Sequence, residues 1–199
     1  MDERLVESAV SALRAGQPVV LPTDTVYGLC VDAYREAPAR RLYRLKHRPD
    51  GMPVALLAAD LDVILDAVPE LRGRSAVIAR ALLPGPYTLV LANPGRRFRW
   101  LCGANAEAIG IRVPDVPPAT RAVLDRVGVV AATSANLHGE RDPARVDDIS
   151  AVVREGVAAV VDGGELPGTP STVVDLTGPE PKILREGAVP GEEVLNKIE

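Results

Sequence analysis

The sequence predicts an α/β protein, a single domain built on a twisted, mostly buried mixed sheet of about seven strands flanked by helices. Three observations carry that reading. Short apolar runs of strand length alternate along the chain with segments of helical periodicity. The 199 residues suffice to bury one sizeable core. Apolar residues make up 47% and charged residues 25%, the balance of an ordinary globular protein, and with aromatics at only 3% the core must be built from Ala, Val, Leu and Ile.

Taken in order, Leu5, Val6, Ala9, Val10 and Leu13 recur at helical spacing over residues 3 to 15, with Gly16 as a stop. Residues 19 to 21 form a short buried strand, because they are apolar and mostly β-branched, and Pro22 withholds a ladder donor. The most unusual stretch comes next. Residues 22 to 32, PTDTVYGLCVD, carry more polar groups than a core strand ordinarily does, and are read as a turn at the strand's exit. Thr23, Asp24 and Thr25 there either cap their own backbone or meet a ligand, since open α/β sheets bind ligands at strand exits.

Residues 36 to 46 give a second helix, ending in KHRPDGMP, where Pro49, Gly51 and Pro53 force irregular backbone. Lys46, His47 and Arg48 at that end complement the helix dipole or await an anion. A strand at 54 to 58, helices at 61 to 67 and about 70 to 83, and a strand at 87 to 92 follow. Residues 96 to 103, RRFRWLCG, hold the only Phe and the only Trp, either in a packed corner with solvated arginines or on a nucleic-acid surface. Residues 108 to 113 are a strand containing Arg112. A basic residue on a short apolar strand needs an anionic partner, whether a core carboxylate or a ligand. A helix at 117 to 127 leads to a strand at 129 to 132, which runs into the hydroxyl- and amide-rich TSAN of residues 133 to 136, a turn suited to capturing phosphate or carboxylate. A helix at 147 to 155, strands at 158 to 162, 172 to 176 and 182 to 184, and a tail helix from about 192 complete the chain.

Charge and cysteine content narrow the function. The 23 basic and 27 acidic side chains give a net charge of −4, which argues against an overall basic coat for nucleic acid while permitting a local positive cleft. Two cysteines, Cys30 and Cys102, supply neither a disulfide framework nor a zinc pattern, so a cytoplasmic address is expected. The acidic N-terminus and the lack of any apolar run near 18 residues predict neither a signal peptide nor a membrane span. No Walker A motif, GxGxxG or GxSxG occurs. What recurs is polar groups at strand ends: Thr23 and Thr25, Lys46 and Arg48, Arg112, Ser134 and Asn136, Ser171 and Thr172, and Arg185. If the sheet gathers them, four fixed cations line one cleft. Such a cleft selects a polyanion, and a nucleoside triphosphate is the commonest small one.

In order along the chain, PTDTVYGL, KHRP, PGPYTLVL, GIRVP, TSAN and STVVDL followed by ILREGA resemble the YrdC-like proteins, the threonylcarbamoyl-AMP synthases. The likeness spans about residues 5 to 190 of a single domain set at 1 to 199, and looks like the family's short form. It implies a YrdC-like fold with a concave, positively charged cleft. The implied enzyme condenses L-threonine, bicarbonate and ATP, with Mg²⁺ on the triphosphate, and releases pyrophosphate. Its product, threonylcarbamoyl-AMP, goes to partner proteins that modify adenosine 37 of tRNA, with weak tRNA contact a further expectation. The resemblance assigns Lys46 and Arg48 to the phosphates and the chemistry. Thr25, Arg112, Ser134 and Ser171 fall to L-threonine, with Arg112 on its carboxylate. Asn136, Arg185 and the Met52 position join Lys46 and Arg48 in holding the nucleotide, and no metal-ligating set is implied. Met52 stands where many relatives carry a basic residue, and Ala144 where they often have a hydroxyl. The alternatives are a structured-RNA-binding module of the same fold, a paralogue using a different acyl group, and a carbamoyl-transfer relative of the hydrogenase-maturation type.

Overall fold

A computed structural model describes residues 2–49 and 51–198, leaving Met1, Asp50 and Glu199 outside. Nine strands are found among the described residues rather than about seven: β1 (Val19–Pro22), β2 (Tyr27–Asp32), β3 (Ala55–Leu57), β4 (Tyr87–Ala92), β5 (Ala108–Arg112), β6 (Val130–Ser134), β7 (Ala159–Val160), β8 (Thr172–Asp175) and β9 (Lys182–Arg185). They form one mixed sheet in the order β7-β1-β2-β6-β3-β5-β4-β8-β9. Parallel pairs are β1/β7, β3/β5 and β4/β8, and the other neighbours run antiparallel.

The strand missed by sequence reasoning is β2. Its residues are buried except for the half-buried Asp32, and it pairs with β1 on one side and β6 on the other. The polarity that marked the stretch as irregular belongs to the tight connection before it. There the Thr23 hydroxyl donates to the Val26 carbonyl at 2.7 Å and accepts from the Thr25 and Val26 N–H groups, both at 3.3 Å. Pairing with β2 also draws Thr133 and Ser134 into β6, opposite Leu29 and Gly28.

Seven α-helices flank the sheet: α1 (Glu3–Arg14), α2 (Glu36–Leu45), α3 (Leu61–Ala67), α4 (Arg74–Leu82), α5 (Pro118–Val127), α6 (Ala151–Gly156) and α7 (Gly191–Ile198). Helix α4 starts later than its periodicity suggests because Gly73, at φ 61°, breaks the chain before it. The segment expected as one helix at 147 to 155 divides into a 3₁₀ turn, Val146–Asp148, and α6, because Ser150 caps the latter by accepting from the Val153 N–H.

Strand alternation sends side chains to two unequal faces. Leu29, Leu56, Leu89, Leu91, Ile109 and Ile111 join a large core with Leu42 of α2, Ile64 of α3, Ile78 of α4, Val153 of α6 and Val194 of α7. On the opposite face, Val19, Leu21, Cys30 and Val130 pack beneath Val6, Val10 and Leu13 of α1 and Val123 and Leu124 of α5. That second layer covers only part of its face. Ala55, Gly110, Thr88 and Val173 lie beyond it, and they line a cavity.

The aromatic and basic run is a packed corner. Phe98 packs between Tyr34, at a tilt, and Trp100, edge to face, with ring centroids at 5.6 and 6.2 Å, and the Trp100 indole donates to the Ala33 carbonyl at 3.1 Å. Arg96 and Arg97 pair with Glu107 and Glu70. Among the described residues, no helix is long and apolar enough to cross a membrane.

Candidate active site

The cavity has a volume of about 580 Å³ and opens on the uncovered half of the sheet. Of the residues proposed from sequence, Arg48, Arg112, Ser134, Ser171 and Arg185 line it together, although they come from five separate segments. Thr25, Lys46 and Asn136 are not on the lining but bond to residues that are, and Met52 is not on the lining either.

Arg112 ends β5 and is held from the β1–β2 connection. Its Nη2 donates to Asp24 Oδ1 at 2.6 Å and to the Thr25 hydroxyl at 2.7 Å, and the Asp115 N–H donates to the other oxygen of Asp24 at 3.2 Å. Thr25 is fully buried, 3.1 Å from the Thr23 hydroxyl. Burial holds the Arg112 guanidinium below its ordinary pKa, and the Asp24 charge works against that shift.

Arg48 follows α2. Its Nη2 donates to the Pro53 carbonyl at 2.8 Å and its Nη1 reaches the Thr133 hydroxyl at 3.4 Å, while burial lowers its pKa. Among the described residues, the buried side-chain polar atoms with no hydrogen-bond partner are the Nε groups of Arg48 and Arg112. Buried donors are otherwise nearly always paired, so both arginines retain an unspent N–H, and both residues line the cavity.

Lys46 closes α2, but its side chain is buried to 1% exposure. Its ammonium donates to the Ser134 carbonyl, to the Asn136 carbonyl at 2.7 Å and to Asn136 Oδ1 at 2.9 Å. The same amide oxygen accepts from the Ser134 hydroxyl at 2.6 Å, and Asn136 Nδ2 donates to the Glu140 carbonyl at 2.6 Å. Lys46 thus clamps the TSAN segment from behind. Burial, reinforced by the Arg48 charge, brings its pKa down to about 8 against the opposing pull of Asp142 and Glu140.

At the far wall, the Ser171 hydroxyl lies 2.8 Å from that of Thr88, and the exposed Arg185 donates to the Ser171 carbonyl at 2.7 Å. The Met52 carbonyl accepts from the Tyr43 hydroxyl at 2.7 Å. Sequence reasoning did not single out Thr88, Asp142 or Asp175, all of which line the cavity. For Thr88 the signal was available: it alternates with Tyr87 and Leu89 of β4, which face the core.

Fold and cavity together define an α/β protein that gathers arginines and hydroxyls from its strand ends around one cavity. Residues 11–187 match the Sua5/YciO/YrdC family model, described as "Telomere recombination", and the chain belongs to that family. It is 34% identical over 196 residues to a Mycobacterium tuberculosis protein provisionally named threonylcarbamoyl-AMP synthase, covering 98% of this chain and 89% of that one. It is 33% identical over 196 residues to Escherichia coli YciO, named as uncharacterized, covering 93% of this chain and 90% of that one. The structure of Pyrococcus abyssi Sua5 complexed with L-threonine superposes with a TM-score of 0.88 at 30% identity, covering 97% of this chain and 57% of that longer one.

Proposed function

We propose that this protein is an L-threonylcarbamoyladenylate synthase, a nucleotidyltransferase that joins L-threonine, bicarbonate and ATP and releases pyrophosphate. The observation that carries the reading is the pair of arginines, Arg48 and Arg112, which line one cavity with Ser134, Ser171 and Arg185 and each of which keeps a buried Nε–H without a protein partner. The relatives named as threonylcarbamoyl-AMP synthases, and the L-threonine bound to Sua5, support it.

The chemistry requires three anions to meet. The threonine amine and bicarbonate combine with loss of water to give a carbamate. A carbamate oxygen then attacks the α-phosphorus of ATP, the bond to the bridging oxygen of the β-phosphate breaks, and pyrophosphate departs. Carboxylate, carbamate and triphosphate repel one another, and the repulsion grows as water is excluded. In this reading Arg112, steadied by Asp24 and Thr25, takes the threonine carboxylate. Ser134 and Ser171 meet the amino-acid portion, and Arg48 and Arg185 meet the nucleotide. Such fixed charges stabilise the phosphoryl transition state without a protein nucleophile. Lys46 acts through the TSAN segment that it grips, and Asn136 relays that grip to Ser134.

Mg²⁺ fits as an ion that enters on the triphosphate. Among the described residues no group of three His, Cys, Asp or Glu is placed to cage a metal, while Asp142 and Asp175 face the cavity as single carboxylates. Mg²⁺ is commonly held by substrate phosphates with one or two such groups. When bound, it neutralises charge on the phosphate oxygens. The product is a reactive mixed anhydride, which tRNA-modifying partner proteins would consume.

The test is direct. Purified protein supplied with ATP, L-threonine and bicarbonate should release pyrophosphate and form the acyl-adenylate, with each substrate required. No product at saturating substrates would overturn the reading.

A further inference from the structure

Glycine is disfavoured inside a strand, where it usually marks a bulge or a place that a ligand or another backbone approaches closely. Among the described residues two glycines lie within strands, Gly28 of β2 and Gly110 of β5, and both line the cavity. The fold itself does not demand a glycine at either position. Neither has a positive φ. A methyl group added at Gly110 would come no closer than 3.5 Å to Ala55 Cβ, and one at Gly28 no closer than 3.6 Å to Thr23 Cγ2, which are ordinary contacts. Glycines elsewhere have plain structural reasons. Gly103 has φ 67° and would place a methyl 2.5 Å from the Gly51 carbonyl, and one at Gly187 would lie 2.3 Å from the Pro170 carbonyl.

The neighbours of Gly110 on this face point the same way. Ala55 on β3 and Ala132 on β6 pair directly, and both line the cavity. The middle of the sheet therefore carries nothing larger than a methyl group on this face, and Gly110 lies two residues along β5 from Arg112.

We infer that Gly110 and Gly28 are specificity-determining residues, whose missing side chains leave room for an extended acyl-adenylate to lie against the sheet. The inference rests on the proposed synthase activity. β2 and β5 are separated by three strand spacings, about 14 Å, so the two glycines lie beneath different parts of the ligand.

The experiment compares wild type with Gly110→Ala and Gly28→Ala, using pyrophosphate release from ATP, L-threonine and bicarbonate, with thermal melting in parallel. Gly178→Ala is the control, because its added methyl would lie 3.9 Å from its nearest neighbour and it does not line the cavity. Both floor variants should melt at or above the wild-type temperature. Gly110→Ala should lose at least tenfold in kcat/KM, chiefly through KM, and Gly28→Ala should lose severalfold, while the control stays at the wild-type value. A Gly110→Ala protein with wild-type kcat/KM overturns the inference, as does one that melts well below wild type, since the glycine would then serve the fold. A wild-type protein that forms no product overturns the synthase reading itself, an outcome distinct from either.

Discussion

Asp24 and Arg112 form an ion pair at 2.6 Å in which neither side chain is more than 12% exposed. They come from opposite halves of the chain, and their contact fixes the β1–β2 connection over the end of β5. On the proposed reading, removing Arg112 should do more than weaken threonine binding, because it leaves Asp24 shielded from water without its counter-ion. Arg112→Ala should lose about 3 kcal/mol of stability in urea titrations, the usual cost of breaking a shielded pair from one side. The double variant Asp24→Ala, Arg112→Ala should recover part of that loss without recovering activity. A single variant as stable as wild type would show that the pair contributes nothing to the fold.

Lys46 gives a pH dependence of opposite sign for stability and for binding. Its pKa is about 8 in the folded chain against an ordinary 10.5, so the unfolded chain holds more protons between those values. Its contribution to stability should thus rise with pH across that window, by on the order of 3 kcal/mol in total. The deprotonated amine has one donor too few for its three oxygen acceptors, so ATP affinity should decline as pH passes about 8. Calorimetric titrations with ATP on either side of that pH test it. An affinity flat through the window would mean that the proton on Lys46 is not needed to hold the TSAN segment.

Arg48 should separate binding from folding. Its protein partners are one carbonyl and one distant hydroxyl, so Arg48→Ala should leave the melting temperature nearly unchanged. Loss of a charge-assisted hydrogen bond to phosphate corresponds to roughly 1.5 to 3 kcal/mol, or a ten- to hundredfold weaker affinity for ATP. Unchanged ATP affinity would remove Arg48 from the nucleotide site.

Tyr27 supports the site from behind. Its phenol oxygen lies 2.7 Å from the Gly164 carbonyl and 3.0 Å from Asp162 Oδ1, and accepts from the Gly163 N–H at 2.9 Å. The loop so anchored continues to Gly168, whose N–H donates to the Thr25 carbonyl at 2.8 Å. Tyr27→Phe keeps the buried ring but removes these bonds. It should cost about 1 to 3 kcal/mol and raise KM for L-threonine more than for ATP. Equal effects on both substrates would argue against a local role.

Much of this architecture was legible in the sequence because local chemistry and global position agreed. β4 and β5 announce themselves by apolar runs beside Pro stops, and Arg112 on such a strand called for an anion, which Asp24 supplies. β2 was hidden because the turn residues Thr23 to Thr25 lend their polarity to the run behind them. The environment of Lys46 was not readable at all, since its oxygen partners lie 88 and 90 residues away and include main-chain carbonyls, which carry no sequence signal. The strand glycines stayed silent for a related reason. Which face of a strand meets a ligand depends on which helices cover the sheet, and that is decided by packing between distant elements.

The sheet order also bears on how a charged product departs. Arg112 stands on β5 with a bonded strand on either side, whereas Arg185 belongs to β9, an edge strand, which bonds only β8 across a register irregularity at Val173/Val174. One bank of the pocket is thus riveted into the interior and the other hangs on a single seam. Amide exchange should be faster at residues 182 to 185 than at 108 to 112. On the synthase reading, an adenylate product would leave past Leu184 and Arg185, where yielding disturbs the fewest neighbours.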